Sequence, residues 1–398
     1  LVKLWDEKKP IDLITLTDEL GAENKLDEVG GAAFVTDLFT KVPSAANASH
    51  YVDILREKQI LREIIETCTE CSSRAYEQSD KAETLLDEVE QKVLAIAEDR
   101  YKESVFRMEE EVMKAIDTIE HLYKNRGSLT GLASGFKGLD SLTSGLHGSE
   151  MFVIAARPSM GKTSLAMNIA EHVAVDQGEP VAVFSLEMST QQLIQRLLCS
   201  IARVDLKNAR DGFLNQHDFP KLTNAASRLS QSKFFIDDTA GLSILELRAK
   251  ARRLKSQHDI KLIVIDYLQL LRSPTRRAQD SRQLEISEIS SGIKALAKEL
   301  DIPILVLAQL NRQPEQRTGG KPRLSDLRES GSIEQDADVV GLLVRQEYYE
   351  SGDDDGPSEH AGEAELIIAK QRNGPTDEVK LTYLKEFTRF EDRAHHSE

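Results

Sequence analysis

The feature that most constrains this chain is an apolar run at residues 151–155 that breaks into Ala-Arg-Pro-Ser-Met-Gly-Lys-Thr. Gly161 lets the backbone approach phosphate oxygens, and Lys162 brings a positive charge to the β- and γ-phosphates of a nucleotide. Thr163 offers a hydroxyl to Mg²⁺ at the start of a helix. The sequence therefore predicts a nucleotide triphosphatase that uses ATP and Mg²⁺. Its predicted nucleotide-binding residues are Ser159, Met160, Gly161, Lys162, Thr163 and Ser164.

The loop departs from the usual phosphate-binding pattern at one position. Ala156 stands where G-x-x-x-x-G-K-[ST] has its first glycine. The flanks nevertheless fit, because a strand-like run precedes the loop and a helix-like stretch, residues 164–175, follows it. A chance surface Gly-Lys-Thr rarely has both flanks, so the phosphate-binding interpretation is favoured.

Composition predicts an ordinary cytoplasmic protein. The chain has 398 residues, 40% of them hydrophobic, so it can bury a sizeable core in two or three domains. No apolar run approaches the roughly 20 residues that span a bilayer, and the first residues show no signal-peptide pattern. Three cysteines are too few for a disulfide framework. We therefore expect no membrane partner.

The net charge of −16 argues against a nucleic-acid partner when it is taken as one number. The distribution of charge along the chain does not argue against such a partner. Residues 1–128 carry 17 basic and 28 acidic side chains, a net charge of −11, which leaves −5 for the rest of the chain. Within that rest, residues 272–282 and residues 310–328 each carry a net charge of +3.

Hydrophobic periodicity predicts two kinds of domain. Residues 1–99 show helical spacing without strand alternation, which predicts a small all-α domain with a helical hairpin at about 51–98. In the linker region 100–128, the amphipathic stretch 103–124 either docks on another surface or is the first helix of the next domain. Residues 129–398 alternate short apolar runs with helical stretches, which predicts an α/β domain with a mostly parallel sheet and flanking helices. The predicted strands are 151–155, 181–186, 233–236, 262–265, 304–308, 339–344 and 365–369, with edge strands or a hairpin in 378–390.

Polar side chains follow three of the predicted strands, at the end of an open sheet where ligands bind. Asp266 is predicted to hold Mg²⁺ together with Thr163. Glu187 is predicted to orient or deprotonate the attacking water. The structural alternative for both carboxylates is the capping of a helix. Gln309 is predicted to contact the γ-phosphate or the water, the alternative being a hydrogen bond to a neighbouring loop.

Two cations follow the apolar run that ends at Ala369. Phosphoryl transfer gains from a positive charge that arrives at the γ-phosphate, and a guanidinium is the usual group. We therefore predict a catalytic role for Lys370 and Arg372, delivered from a neighbouring subunit in a closed ring. A solvated loop end is the structural alternative.

Six motifs occur along the chain in a fixed order: 155–163, 184–188, 264–269, 308–312, 328–338 and 370–375. In residues, order and spacing they resemble the replicative hexameric DNA helicases of the DnaB type, whose motor is a RecA-like domain. Ala156 is tolerated in that family. Weaker similarity at 28–31 and 43–47 extends the resemblance over nearly the whole chain. Because the family's N-terminal domain normally begins earlier, we expect its first helices to precede Leu1.

The resemblance implies a homohexameric ring in which the N-terminal domains form a collar and 103–124 docks on the adjacent motor domain. Single-stranded DNA passes through the centre, and ATP binds between subunits. Glu187 is then the catalytic base, while Lys370 and Arg372 act on the neighbour's nucleotide. The resemblance further implies unwinding at the replication fork, 5′ to 3′ movement, and primase and a helicase loader as partners.

Five residues are predicted to contact DNA. The resemblance assigns Arg328, Glu329 and Gly331 to the DNA backbone, and the charge of segment 310–328 adds Arg312 and Arg323. Neither basic segment contains an aromatic residue that could stack on a base. Sequence-independent contact with the backbone is therefore the expected mode.

Two other functions remain open. A RecA-type recombinase shares the motor, but the long helical N-terminal region and the position of Arg372 favour a ring over a filament. A non-motor scaffold or loading factor would use ATP only to set its assembly. A strand-displacement assay on a forked substrate separates it from a helicase.

Overall fold

The computed structural model describes residues 12–23, 25–41, 48–77, 129–273, 281–311, 321–327, 331–350 and 360–393, with single helical positions between 85 and 123. The chain divides into two compact units, Leu1–Asp117 and Thr118–Glu398. Most of the second hairpin helix and of the 103–124 helix that the sequence predicts lies outside the described residues. The predicted domain boundaries at 99 and 128 therefore stay predictions.

The described part of the first unit is helical, as predicted. Its helices are Leu13–Ala22 (α1), Gly31–Lys41 (α2) and Ala48–Glu77 (α3). Asp12 caps α1, because its Oδ1 accepts the backbone N–H of Thr15 at 2.8 Å. Lys92 Nζ lies 2.6 Å from Glu70 Oε2 on α3, which ties a later helical segment to this helix.

Nine strands form one sheet in the described part of the second unit. They are Met151–Ala156 (β1), Val181–Ser185 (β2), Phe234–Asp237 (β3), Leu262–Asp266 (β4), Ile304–Gln309 (β5), Val339–Val344 (β6), Glu363–Gln371 (β7), Glu378–Leu384 (β8) and Arg389–Asp392 (β9). Their order is β3-β2-β4-β5-β1-β6-β7-β8-β9. Neighbours from β3 to β6 pair in parallel, and β7, β8 and β9 pair antiparallel. The predicted, mostly parallel sheet is confirmed.

Helices cover both faces of this sheet. They are Lys137–Thr143 (α4), Lys162–Glu171 (α5), Thr190–Ala202 (α6), Leu206–Asp211 (α7), Asp218–Gln231 (α8), Ile244–His258 (α9), Arg282–Leu300 (α10), Gly331–Asp336 (α11) and Glu347–Glu350 (α12). A π-helical turn, His172–Asp176, continues α5. Across the part of the chain that the structure describes, we find no helix with the length and apolarity needed to cross a membrane.

The central strands are apolar along their whole length because both faces of the sheet are buried. In β1, Phe152 and Ile154 pack into a core with α5 and α6, whereas Met151 and Val153 pack into a second core with α9, α10 and α11. All six residues of β1 are buried. Burial of each large apolar side chain stabilises the fold by about 1.5–3 kcal/mol, so these strands fix the position of whatever follows them.

The strands of the sheet begin and end along two opposite sides, which we call edges, and the two edges carry different residues. The carboxyl ends of β1, β2, β4 and β5 lie together at one edge, here called the carboxyl edge. The opposite edge is the amino edge. Since β7 runs against β6, with Val339 paired to both Phe152 and Gln371, the carboxyl end of β7 lies at the amino edge.

A buried ion pair ties the last strand to α5. Arg389 Nη1 on β9 donates to both carboxylate oxygens of Glu171, at 3.0 and 2.9 Å, and to Ser200 Oγ at 3.1 Å. The next backbone N–H, of Phe390, donates to Asn168 Oδ1 at 2.8 Å. Burial raises the pKa of Glu171, while the Arg389 guanidinium acts in the opposite direction. The Arg389 guanidinium therefore favours the charged form of this carboxylate, and burial disfavours it.

We predict that Arg389→Ala lowers the free energy of unfolding of the second unit by about 3–5 kcal/mol, because it leaves a buried carboxylate without its partner. Denaturant unfolding measures the loss. Arg393→Ala is the matched control: its exposed pair with Glu363, at 2.7 Å, contributes at most about 1 kcal/mol. Adding Glu171→Gln to Arg389→Ala restores part of the stability. Equal losses in the two arginine variants would contradict the prediction.

Candidate nucleotide-binding site

The phosphate-binding loop connects the end of β1 to the start of α5. Gly161, directly before α5, has φ +93°, and Ser159 has φ +66°, both in the left-handed region that glycine tolerates best. Arg157 Nη1 donates to the Leu310 carbonyl at 2.9 Å, and Arg345 Nη1 donates to the Ser159 carbonyl at 3.3 Å. Two arginines thus hold the loop to the segments that follow β5 and β6.

An aromatic pair from the last two strands backs the loop. A Cβ atom at Gly161 would lie 3.0 Å from the ring of Phe390, so a larger residue there would push against the pair. The ring centroids of Tyr383 and Phe390 are 4.6 Å apart, and the Arg345 guanidinium lies 4.1 Å from the Tyr383 ring centroid. Position 161 therefore has room for a glycine but not for a larger residue unless this aromatic pair moves.

Lys162 is the first residue of α5 and lies between two carboxylates. Its Nζ is 3.2 Å from Asp266 Oδ1 and 3.2 Å from Glu187 Oε2. It also lies 4.0 Å from the ring centroid of Tyr267, a favourable cation–π distance. Asp266 is almost fully buried, whereas the Glu187 side chain is 50% exposed. One carboxylate is therefore fixed in the protein and the other is open to solvent.

Thr163 completes a donor set that suits Mg²⁺. Its Oγ1 donates to Asp266 Oδ2 at 2.7 Å. Mg²⁺ prefers oxygen ligands and is usually held by one or two protein groups together with water and substrate phosphates. Within the described ranges no cluster of three or more His, Cys, Asp or Glu residues could hold a metal by itself. Thr163 and Asp266 therefore fit an ion that a nucleotide brings with it.

The structure decides against the capping alternatives for both carboxylates. The helix after β2, α6, is capped by Ser189, whose Oγ accepts the backbone N–H of Gln192 at 3.4 Å, so Glu187 does not cap it. Asp266 contacts Lys162 and Thr163, and Tyr267 stands at the cap position of the short 3₁₀ turn that follows.

Gln309 lies at the carboxyl edge as predicted, but its described contacts are made by its backbone. The Gln309 N–H donates to Gln269 Oε1 at 3.3 Å, and Gln269 Nε2 donates to the Gln309 carbonyl at 3.4 Å. Gln269 therefore joins the end of β5 to the segment after β4. It belongs to the motif 264–269, but sequence reasoning assigned it no role of its own. Sequence reasoning also missed Tyr267, although that residue directly follows Asp266.

Lys370 and Arg372 do not join this site in their own chain. They follow the buried part of β7 and lie at the amino edge. The six residues of β1 separate that edge from the loop by roughly 15–20 Å, since a strand rises about 3.3 Å per residue. Any contact of these cations with a nucleotide bound at Lys162 requires a second copy of the chain.

Only part of the predicted DNA-binding set can be located. Arg312, Arg328 and Glu329 lie outside the described residues. Gly331 is the first residue of α11, and it is exposed. Arg323, also exposed, begins a 3₁₀ turn, where its backbone N–H donates to Asp326 Oδ2 at 2.7 Å. Both lie between β5 and β6 in the chain.

A phosphate-binding loop after the central strand, with carboxylates after two neighbouring parallel strands, defines a P-loop nucleoside triphosphatase of the α/β class. The family model described as the DnaB-like helicase C terminal domain matches residues 131–392, and that of the DnaB-like helicase N terminal domain matches residues 1–57. The chain belongs to the DnaB-like family of replicative DNA helicases.

Individual relatives agree with this assignment. The replicative DNA helicase DnaB of Geobacillus stearothermophilus is 43% identical over 390 residues, which cover 98% of this chain and 85% of that protein. DnaB of Haemophilus influenzae is 43% identical over 404 residues, covering 99% and 85%. A solved structure of a DnaB-like replicative helicase and its interactions with primase matches with TM-score 0.75, 32% identity, and coverage of 98% and 90%. A second solved structure, of an isolated ATPase domain, matches with TM-score 0.67, 38% identity, and coverage of 73% and 100%.

These matches confirm the predicted family, the RecA-like fold, and the predicted class of enzyme, an ATP-hydrolysing replicative DNA helicase. The roles assigned to individual residues stay predictions. What the described geometry brings together is Lys162, Thr163, Glu187 and Asp266 at the carboxyl edge. What it keeps apart from them is the pair of cations at the carboxyl end of β7, Lys370 in the strand and Arg372 directly after it.

Proposed function

We propose that the chain is one subunit of a homohexameric ring that hydrolyses ATP between its subunits, encircles single-stranded DNA and unwinds duplex DNA at the replication fork. The observation that carries the proposal is the division of the predicted catalytic groups between two edges of one sheet. Lys162 and two carboxylates lie at the carboxyl edge, and Lys370 and Arg372 lie at the amino edge. A head-to-tail arrangement of copies joins these edges, and such an arrangement closes into a ring when its rotation permits.

Within one subunit, the carboxyl edge supplies the binding groups and the base. The backbone of residues 159–164 and the Lys162 ammonium bind the phosphates. Thr163 and Asp266 hold Mg²⁺, which when bound neutralises charge on the phosphate oxygens. Glu187, half exposed beside Lys162, accepts the proton of the water that attacks the γ-phosphorus, while the bond to the ADP oxygen breaks. We assign Gln309, at the end of β5, to contact with that water or with the γ-phosphate.

The adjacent subunit supplies the remaining positive charge. Charge accumulates on the oxygens of the transferred phosphoryl group, and a guanidinium that reaches it accelerates hydrolysis by about 10³–10⁵-fold in enzymes that use such a group. Arg372 is 46% exposed at the amino edge, where it can face another copy. Lys370 stands two residues before it. Hydrolysis is thereby made dependent on the contact between neighbours.

Single-stranded DNA is the polyanion on which this ring acts. We assign its contacts to Arg312, Arg323, Arg328, Glu329 and Gly331. The chain has a net charge of −16, so its affinity for DNA must come from local positive segments such as 310–328 rather than from the whole surface. The relative described with its interactions with primase supports primase as a further partner.

The ring also needs a contact, apart from the nucleotide site, that holds neighbouring subunits together. An apolar groove lies between α6, α8 and β3 in the second unit. Its lining residues are Ile194, Leu197, Leu198, Ala226, Leu229, Ser230, Phe234 and Ile236. In the predicted helix 103–124, the apolar residues Met108, Ile116 and Ile119 are exposed in the single chain. We assign this helix of one copy to the groove of the next.

We predict that Ile194→Glu weakens the ring, because the variant places a charge in an apolar contact between copies. Native mass measurement with ATP and Mg²⁺ should show a shift from hexamers to smaller species. Phe213→Glu is the matched control, since Phe213 is also an exposed hydrophobic residue of the second unit, 75% exposed, but lies outside the groove. If both variants form hexamers as the wild type does, the groove does not receive the helix.

Arg372→Ala tests catalysis between subunits. We predict that it lowers kcat for ATP by about 10³-fold or more while ATP binding to its own subunit is retained. Subunits with Lys162→Ala are also inactive, but they still carry Arg372. Mixing the two variants should restore hydrolysis at interfaces that combine an intact loop with an intact arginine, about a quarter of them after random head-to-tail assembly. Normal hydrolysis by Arg372→Ala alone, or no recovery on mixing, would contradict the assignment.

The function as a whole is tested with the full chain on a forked DNA substrate. We expect ATPase activity that single-stranded DNA stimulates, strand displacement that requires ATP, and neither activity in Lys162→Ala. Hexamers without DNA-stimulated hydrolysis would overturn the proposal. DNA-stimulated hydrolysis on open filaments under the electron microscope would favour the recombinase. Hydrolysis without strand displacement would favour the scaffold or loading factor.

A further inference from the structure

An irregularity in β7 decides which way Lys370 faces. Along the pairing of β6 with β7, Val340 is opposite Lys370 and Gly341 is opposite Ile368, so Ala369 is an extra residue in the strand. Such a β-bulge reverses the alternation of side chains beyond it. Bulges of this kind are common beside active sites, where they redirect a side chain.

The contacts on either side of the bulge show the effect. Ile367, before the bulge, and Ala369, the extra residue itself, pack against the core that contains α9, α10 and α11. Regular alternation would place Gln371 next on that face. Instead, Gln371 Nε2 donates to the Leu142 carbonyl on α4 at 3.1 Å, across the sheet. Lys370 and, two residues later, Arg372 are therefore the side chains that turn toward α11.

The carboxyl end of α11 binds the Lys370 ammonium. Its Nζ donates to the carbonyls of Ala337 at 2.7 Å, Gln335 at 3.3 Å and Glu334. These are carbonyls at the end of a helix, which lack partners within the helix and carry partial negative charge. Burial lowers the pKa of Lys370, and the nearby Arg372 guanidinium lowers it further. The two cations are thus held side by side in spite of their repulsion.

Asp338 and the same helix end bind Arg372. The Arg372 backbone N–H donates to the Asp338 carbonyl at 2.9 Å, Nη2 donates to the Gln335 carbonyl, and Nη1 lies 3.5 Å from Asp338 Oδ1. The Asp338 side chain is 8% exposed and that of Arg372 is 46% exposed. The buried Asp338 carboxylate therefore orients the Arg372 guanidinium, part of which stays exposed to solvent.

Asp338 is itself fixed by two other elements. Its Oδ2 accepts the backbone N–H of Met151, the first residue of β1, at 2.8 Å, and the ammonium of Lys294 on α10 at 2.6 Å. One carboxylate oxygen thus anchors the residue in the sheet and the other faces Arg372. A group anchored in this way can hold a flexible arginine in one orientation, which reduces the entropy lost when the arginine binds a ligand.

We propose that Asp338 is a positioning residue that orients Arg372, beside the Lys370 ammonium held by α11, toward the nucleotide of the adjacent subunit. The inference rests on the proposed function, since it requires that Arg372 acts between subunits. A purely structural role would explain the anchoring of Asp338 to β1. It would not explain a strand irregularity that brings two cations together at an exposed edge.

Asp338→Asn is the test variant, because it keeps the shape of the side chain and removes its charge. We expect kcat for ATP hydrolysis to fall about ten- to a hundredfold, as for other misplaced catalytic groups, with KM for ATP and hexamer formation unchanged. Asp336→Asn is the matched control: this residue lies on α11 and accepts the Ser290 hydroxyl at 2.6 Å instead of an arginine. It should retain wild-type kcat.

Mixing experiments separate an action on the neighbour from an action on the subunit's own loop. Asp338→Asn subunits have an intact loop, so Lys162→Ala subunits, which supply a well-oriented Arg372, should restore their hydrolysis. Lys162→Ala subunits can be mixed either with Arg372→Ala subunits or with Asp338→Asn subunits. Recovery of hydrolysis in the first mixture but not in the second would overturn this inference and leave the proposed function standing. No recovery in either mixture would overturn the proposed function itself. An Asp338→Asn variant with wild-type or higher kcat would also overturn the inference.

A second variant serves as a control for loss of folding. Asp338→Asn leaves the Lys294 ammonium buried beside a neutral amide, which can destabilise the second unit. Asp338→Asn combined with Lys294→Met removes both buried charges and still deprives Arg372 of its carboxylate. If this double variant is as stable as the wild type, it should keep the reduced kcat and the recovery on mixing. Restored kcat would show that the defect came from the buried lysine and would overturn the inference.

Discussion

Buried parallel strands bring the Lys162 ammonium and the Asp266 carboxylate within 3.2 Å of each other, and the rest of the candidate nucleotide-binding site is arranged around that contact. Neither group is close to the other in sequence. Each follows a strand that is apolar throughout and buried on both faces, so neither strand can shift without exposing a core. The charges at the ends of the strands are positioned by the hydrophobic groups within them.

The same contact belongs to a larger group of interactions. Lys162 is bound by two carboxylates and a tyrosine ring, and Thr163 is bound by Asp266. Under the proposed function, phosphate oxygens would bind the ammonium, and the hydroxyl and the carboxylate would hold Mg²⁺, which would neutralise charge on the phosphates.

Sequence patterns predicted the strands and the carboxyl edge because these features depend on local order. The apolar runs around Val183 and Val264 could form little else than buried strands, and the carboxylates at their ends had to meet at one edge. Contacts between distant segments were not predictable in this way. Arg345, Tyr383 and Phe390 back the phosphate loop only because the antiparallel strands pack against α5, and no local pattern marks them.

The direction of β7 and its single extra residue, Ala369, have a consequence for how such an edge can change. An in-frame loss of that one codon would restore regular alternation and turn the following side chains to the opposite face of the sheet. The apolar residues that precede it would keep their places. Deletion of one small apolar residue would thereby turn Lys370 and Arg372 away from α11 without altering the apolar part of the strand.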